Sequence, residues 1–382
     1  MSEMSKDAFI DQKDLFLSGK EGYHTYRIPS LVVSNSGTVL AFCEGRKEGK
    51  SDHGNIHIML KRSFDGGQTW EKMQKVWSEE QGKQKITCGN PTAVVDRDTG
   101  TIWLLFCRNN NTVWYTYSED DGASWNNPVE ITSEVKKEDW TWYATGPGHG
   151  IQLAEGDFAG RLIIPCNHTE LKGSELKRGE VPSSSRAGAK RHCHIIYSDD
   201  HGQNWKLGES TPLPSEEKAD EAGVYFAGNE CVVVETGKKV YLNTRGGTYP
   251  MKCGYRKFSW SYDGGESWEP LKIDNELIEP CCHAGIVGGT QFPGDKDIVL
   301  FANPANGPEP DWDKGRKKMT VRASFDNCQS WPLSKMLHKG PSSYADLTIL
   351  NDGTILCLYE GGKEHRREWL RLARFNLAWL KE

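Results

Sequence analysis

Apolar and polar positions alternate along this chain in short runs, and five of those runs stop at nearly the same eight letters. NIHIMLKR, NTVWYTY, HCHIIY, CGYRKFSW and MTVRA lead into SFDGGQTW (63–70), SEDDGASW (118–125), SDDHGQNW (198–205), SYDGGESW (261–268) and SFDNCQSW (324–331). Alternating or near-continuous apolar runs of this length predict strands that end at the serine. The aspartate that follows can bond backbone N–H groups ahead of it, the glycine in fifth place tolerates positive φ, and the closing tryptophan packs back over the hairpin. Each octet therefore reads as a structural clip. Cys328 stands where the other four have glycine, which puts the geometry of the fifth turn in question.

A fainter series sets the number of units. SGTVLAFCEGR (36), TGTIWLLFCRNN (99), AGRLIIPCNHT (159), TGKKVYLNTRGG (236), PGDKDIVLFANPAN (293) and DGTILCLYEGG (352) each place a glycine before an apolar strand that ends in a polar group. The clips are 55, 80, 63 and 63 residues apart, too irregular for a solenoid. Six sheets arranged radially would hide their edges and bury a continuous core, so the expected fold is all-β, a six-bladed β-propeller. Length alone would allow two or three domains. The two series run from 36 to about 360 without a linker, so one domain over 1–382 is expected.

Composition narrows the function. Forty glycines, 17 prolines and 10% aromatics suit many turns and large packing residues, and no run approaches the ~20 apolar residues of a membrane span. A net charge of −6 argues against nucleic acid as a partner. The opening MSEMSKDAFIDQKDLF has neither a basic nor an apolar leader segment, so a cytoplasmic protein is expected, a monomer without cofactor or metal. Eleven cysteines with no CxxC spacing, several inside apolar strands, read as buried reduced thiols. GPGHG (146–150) lacks the Lys-Ser/Thr of a phosphate loop and reads as a turn. His192-Cys193-His194 alternates on a strand before a clip and is expected to pack, one face inward and one outward, instead of binding metal.

A propeller gathers strand ends around one axis, so the chemistry is expected where polar groups cap the apolar strands. Near those ends stand Arg27, Arg46, Asp52, Glu230, Arg245, Arg316, Tyr344 and Glu360. Arg27-Ile28-Pro29, the repeated boxes, a glutamate within AGNEC, Arg-x-x-x-Thr-Val-Arg (316–322), Ser343-Tyr344 and Leu358-Tyr359-Glu360 follow one another in an order that resembles the exo-α-sialidases, the six-bladed neuraminidases of animals and bacteria. RFNLAWL (374–380) is also similar to that family's C-terminal strand.

The resemblance implies a retaining hydrolase that releases terminal α-linked sialic acids from oligosaccharides, glycoproteins or gangliosides through a tyrosyl intermediate. A non-catalytic sialoside-binding propeller and a trans-sialidase are the alternatives. By motif, Arg27, Arg245 and Arg316 would hold the substrate carboxylate, with Arg322 the competing choice for the third place and Arg46 a fourth arginine beside it. Three guanidiniums suit a carboxylate on the anomeric carbon, because each keeps its charge and offers a planar fork of donors. Tyr344 would be the nucleophile and Glu230 its base; a neutral phenol avoids the repulsion a carboxylate nucleophile would meet at that carbon. Asp52, in a Gly-rich polar loop, would be the general acid and base. Glu360 would orient Arg27, and Ile28 and Asn90 would wall the pocket. The segment 168–192, rich in Lys, Ser and Gly, is expected to form a loop at the cleft rim.

Overall fold

The computed structural model describes residues 7–79, 84–170, 189–213, 225–246, 254–307, 309 and 312–382, and in it the six units become six antiparallel blades. The first orders Thr25–Val33, Val39–Arg46, Ile56–Ser63 and Gln74–Trp77; the second Cys88–Val95, Ile102–Arg108, Thr112–Ser118 and Val129–Glu130. The third orders Trp140–Thr145, Leu162–Glu170, Lys190–Ser198 and Lys206–Leu207, with Ile151–Gln152 and Tyr225–Ala227 as short additions. The fourth is Cys231–Thr236, Lys239–Thr244, Tyr255–Ser261 and Lys272–Ile278.

Blades five and six share one long strand, Leu333–Ile349. Its first part pairs with Lys317–Ser324 up to Pro341, outside Gly285–Gly288 and Val299–Pro304; from Ser342 it becomes the innermost strand of blade six, against Ile355–Gly361. Trp369–Phe375 follows, and Ile10–Leu17, from the other end of the chain, closes that blade.

Both sequence series find their places. The glycine-led apolar runs are the second strands of all six blades, and the clips follow the third strands of the first five. In the first clip Ser63 Oγ donates to Asp65 (2.8 Å) and accepts from Gly67 N (2.8 Å), while Asp65 accepts from Thr69 N (2.8 Å) and Thr69 Oγ1 (2.6 Å). The fifth clip keeps this turn with a cysteine: Cys328 takes φ 64° and its N–H still reaches Ser324 Oγ at 2.9 Å. The sixth blade has no box; there Asn376 caps the short helix Leu377–Lys381 by accepting from Trp379 N.

Each blade is sandwiched between two others, so both faces of its inner strands are covered, and every residue of Val39–Arg46 is buried. That corrects the reading of His192-Cys193-His194: all three are buried. His194 joins His168 (Nδ1···Nδ1 2.9 Å) and the Tyr143 hydroxyl (2.9 Å), and His168 stacks on Trp140. The cysteine expectation also needs correcting. Among the described residues nine cysteines are free and buried as read, but Cys281 is disulfide-bonded. Of the segment read as a rim loop, 168–170 and 190–192 are paired strand, and 171–188 lie outside the described residues. Among the described residues no helix is long and apolar enough to cross a membrane.

Candidate active site

The innermost strands meet at the axis, and most of them enter it through a kink. Ile28, Asn90, Glu230 and Cys281 take φ of 58°, 56°, 51° and 50°, and in the third blade Gly146 takes 62°. Left-handed backbone at a residue with a side chain costs about 1–2 kcal/mol, and for β-branched Ile28 it is an outlier. Beside three of these kinks an N–H is taken up by a carboxylate, whereas the Gly146 N–H stays with the Pro165 carbonyl at 2.7 Å. Glu360 of blade six accepts from Ile28 N (3.1 Å), Glu44 of blade one from Asn90 N (2.9 Å), and Glu279 from Cys282 N (3.0 Å). Blade six reaches the axis through a bulge between Ser342 and Ala345, where Tyr344 sits.

These kinks aim polar side chains into a cavity of about 400 Å³. Nine of the ten residues singled out from the sequence line it: Arg27, Ile28, Arg46, Asp52, Asn90, Glu230, Arg245, Arg316 and Tyr344. Glu360 stands behind it, fully buried, with Oε1 3.0 Å from Arg27 Nε and Oε2 3.3 Å from Arg27 Nη2. That fork fixes the Arg27 plane, which lies 4.7 Å above the Tyr344 ring.

Tyr344 donates to Glu230 Oε1 at 2.5 Å, and Arg245 Nη1 donates to Glu230 Oε2 at 2.5 Å. Burial works to raise the Glu230 carboxyl, but Arg245 and the bond from Tyr344 outweigh it and hold it below the usual range. Burial and the Glu230 charge push the phenol up, against Arg245, Arg316 and Arg27. The proton therefore rests on Tyr344, already directed at the carboxylate that would receive it. Arg316 is held by Cys281 O (2.5 Å) and Ser343 Oγ (3.3 Å), with its guanidinium 5.6 Å from the Tyr344 ring centre. Arg322 instead donates to Asn303 at 2.8 Å and does not line the cavity.

Asp52 lies at the mouth, its side chain 58% exposed, 2.8 Å from Arg46 Nη1 and 3.1 Å from Arg27 Nη1. Partial burial alone would raise its carboxyl; Arg46 and Arg27 hold it well below the carboxylate range. Its loop is tied down by Asn110, which donates to Asp52 O at 3.2 Å, and by His53, whose ring meets Trp142 edge-on at 5.8 Å.

Several supporting residues escaped the sequence reading. Glu44 grips Arg46 (2.6 and 2.9 Å) and caps Asn90, as Glu360 grips Arg27 and caps Ile28. The parallel was visible in the repeat, since CEGR and LYEGG end equivalent second strands. Glu279 and fully buried Arg256 brace the turn after Arg245 and the Cys282 carbonyl. His283, 5.2 Å from the Tyr344 ring, bonds Pro147 O and is pulled down to about 3 by burial, so it stays neutral. Among the described residues the one group with cation-ligand spacing is Asp96, Asp98 and His201; it does not line the cavity, and Gln152 already bonds both carboxylates.

Known proteins share this plan. Residues 37–357 match the BNR repeat-like domain. A sialidase from Micromonospora viridifaciens is 32% identical over 394 residues, covering 97% of this chain and 54% of that protein, so the chain spans about half the length of that curated relative. A Hadza microbial sialidase structure superposes with a TM-score of 0.77 at 26% identity, covering 97% of this chain and 69% of that one. The intramolecular trans-sialidase from Ruminococcus gnavus, in complex with oseltamivir carboxylate, gives 0.74 at 19% identity over 97% and 98% of the two chains, a likeness of fold alone.

Proposed function

The chain belongs to the family of BNR repeat-like domains, and from that premise we propose that it is a retaining exo-α-sialidase, acting on terminal α-linked sialic acids of oligosaccharides, glycoproteins or gangliosides. The observation that carries the reading is the 2.5 Å bond from Tyr344 to Glu230 inside a ring of arginines. A lectin would use the arginines but has no need of a phenol poised against a carboxylate.

Arg27, Arg245 and Arg316 grip the substrate carboxylate. Their charge stabilises a ring that becomes oxocarbenium-like while bearing that anion. As Tyr344 Oη attacks the anomeric carbon, its proton passes to Glu230 and a glycosyl-tyrosine forms. Asp52 protonates the leaving oxygen and then deprotonates the water that cleaves the adduct, so two displacements return the starting configuration. In the free protein Asp52 is held ionised by Arg27 and Arg46. The incoming carboxylate competes for the same Arg27 Nη1; once displaced, Asp52 loses a partner, turns toward the aglycone and gains basicity.

A 3-fluorinated sialosyl fluoride tests this directly. The ring fluorine slows both formation and hydrolysis of the adduct, and the fluoride leaving group speeds only the first step, so the adduct accumulates and peptide mass spectrometry should find the sugar on Tyr344. A label on Glu230 or Asp52, or no adduct with an active preparation, would overturn the phenol mechanism.

A further inference from the structure

Among the described residues that line the cavity are six arginines (Arg27, Arg46, Arg191, Arg245, Arg316 and Arg367) and three acids, Glu44, Asp52 and Glu230. Under the proposed function the sialic acid carboxylate goes to Arg27, Arg245 and Arg316.

Arg367 lines the cavity and has no part in the proposed reaction. It sits on the turn between Ile355–Gly361 and Trp369–Phe375, with its backbone pinned: Ser18 Oγ donates to its carbonyl at 2.8 Å and its N–H reaches His365 at 3.2 Å. Among the described residues its side chain meets no carboxylate. Nη1 has one long bond, 3.4 Å to Lys50 O, and Nε is buried without a partner. Burial, then repulsion from Arg27 and Arg366, pull its pKa down to about 9. A guanidinium keeps its charge at neutral pH regardless, and the two carboxylates that feel that charge, Glu360 and Asp52, are each bonded to other arginines.

Its place in the cavity says what would answer it. Lys50 belongs to the Asp52 loop, and Arg367 is one of the charges that hold the Asp52 carboxyl down. Under the sialidase reading, on which this inference rests, Asp52 faces the glycosidic oxygen, so a cation beside it faces the departing sugar and not the sialic acid. We propose that Arg367 forms a second anion subsite, which receives an acidic group on the aglycone. A sulfate ester on the penultimate sugar and the carboxylate of an inner sialic acid both supply that chemistry.

The test is a ratio of kcat/KM values for matched substrates: α2,3-sialyl-N-acetyllactosamine, the same trisaccharide with a sulfate on its galactose, and an α2,8-linked disialyl lactoside. The native protein should favour one or both acidic substrates by about five- to tenfold over the neutral one, the scale of one partly exposed charge-assisted contact. Raising ionic strength should shrink the preference. Arg367→Gln should bring the ratio to about one, and Arg367→Lys should restore most of it. Preference for the sulfated substrate alone assigns the subsite to sulfate esters, and for the disialyl substrate alone to inner sialic acids. A purely structural Arg367 would change all three substrates by the same factor, leaving the ratio untouched, and that result would overturn the subsite while sparing the sialidase reading. No cleavage of the neutral trisaccharide by the native protein would overturn both.

Discussion

The five Asp boxes and the kinked inner strands are both sets of turns with left-handed backbone, yet they are built on opposite principles. A box satisfies itself: Ser63, Asp65, Gly67 and Thr69 bond one another within four positions of sequence, and of the two left-handed residues in each copy the second is glycine in four of five and the first in two. The axial kinks place the same conformation on Ile28, Asn90, Glu230 and Cys281, and two of them borrow their acceptors from the preceding blade. Arg27 and Glu360, which lock the first kink, are 333 residues apart. Self-contained turns recur because any blade can use them. The long-range ones build the proposed site, since only a conformation the rest of the ring enforces can hold a phenol, a carboxylate and three guanidiniums together.

Three measurements would break or sharpen that contrast. The largest effect should come from Tyr344→Phe, which keeps the ring under Arg27 and the Glu230–Arg245 pair but removes the hydroxyl. Hydrolysis of a natural sialoside should fall by about 10³-fold or more, while unfolding free energy changes by only about 1 kcal/mol. A comparable loss in both quantities would mean that the axis is scaffold too.

The next effect is on the pH dependence of stability. His283, at the axis, titrates near 3 when folded and about 6.5 when unfolded, so the unfolded chain takes the proton first. Its contribution is complete above about 6.5 and drains away as pH falls toward 3. Asp65, in a box, is held at about 2 by its bonds from Thr69. Its contribution is complete above about 4 and is lost only toward 2. Melting temperature should therefore decline between pH 6.5 and 4.5 in native protein and in Asp65→Ala alike, with a constant gap between the two curves. The curves should converge only below about pH 4; convergence at pH 6 would reverse the assignment of acid sensitivity to the axis.

The smallest effect is that gap itself. Asp65→Ala should cost about 1–2 kcal/mol of stability, the scale of a lost cap, with kcat/KM within about twofold of native. A tenfold loss of activity would show that the boxes reach the site after all.

This contrast also explains what the sequence disclosed. The boxes and the second strands are local and repeated, so strand ends, turn residues and the number of blades could be read from spacing. The site residues could not be recovered that way. Tyr344 in SSYADL and Glu230 in AGNEC look like ordinary strand residues, and only the ordered resemblance singled them out. Glu44 was within reach, because it repeats Glu360. Arg367 was not: KEHRREW reads as a charged, solvated turn, and nothing local says that the turn leans over the Asp52 loop. The outward face assigned to the His192 strand failed because alternation implies solvent on one side, and a propeller blade has protein on both.

The strand Ile10–Leu17 that closes blade six has a consequence for biosynthesis. The blade carrying Tyr344 and Glu360 takes its outer strand from Ile10–Leu17, which precedes every other strand of the ring, so its ladder cannot be completed until Phe375 has also left the ribosome. Blades one to four can form during translation from contiguous stretches. Arg27 meanwhile waits at the axis without the carboxylate that orients it. Under the proposed function, catalytic competence should then appear abruptly once Phe375 has emerged, and a nascent chain stalled before Glu360 should display most of the propeller and no activity.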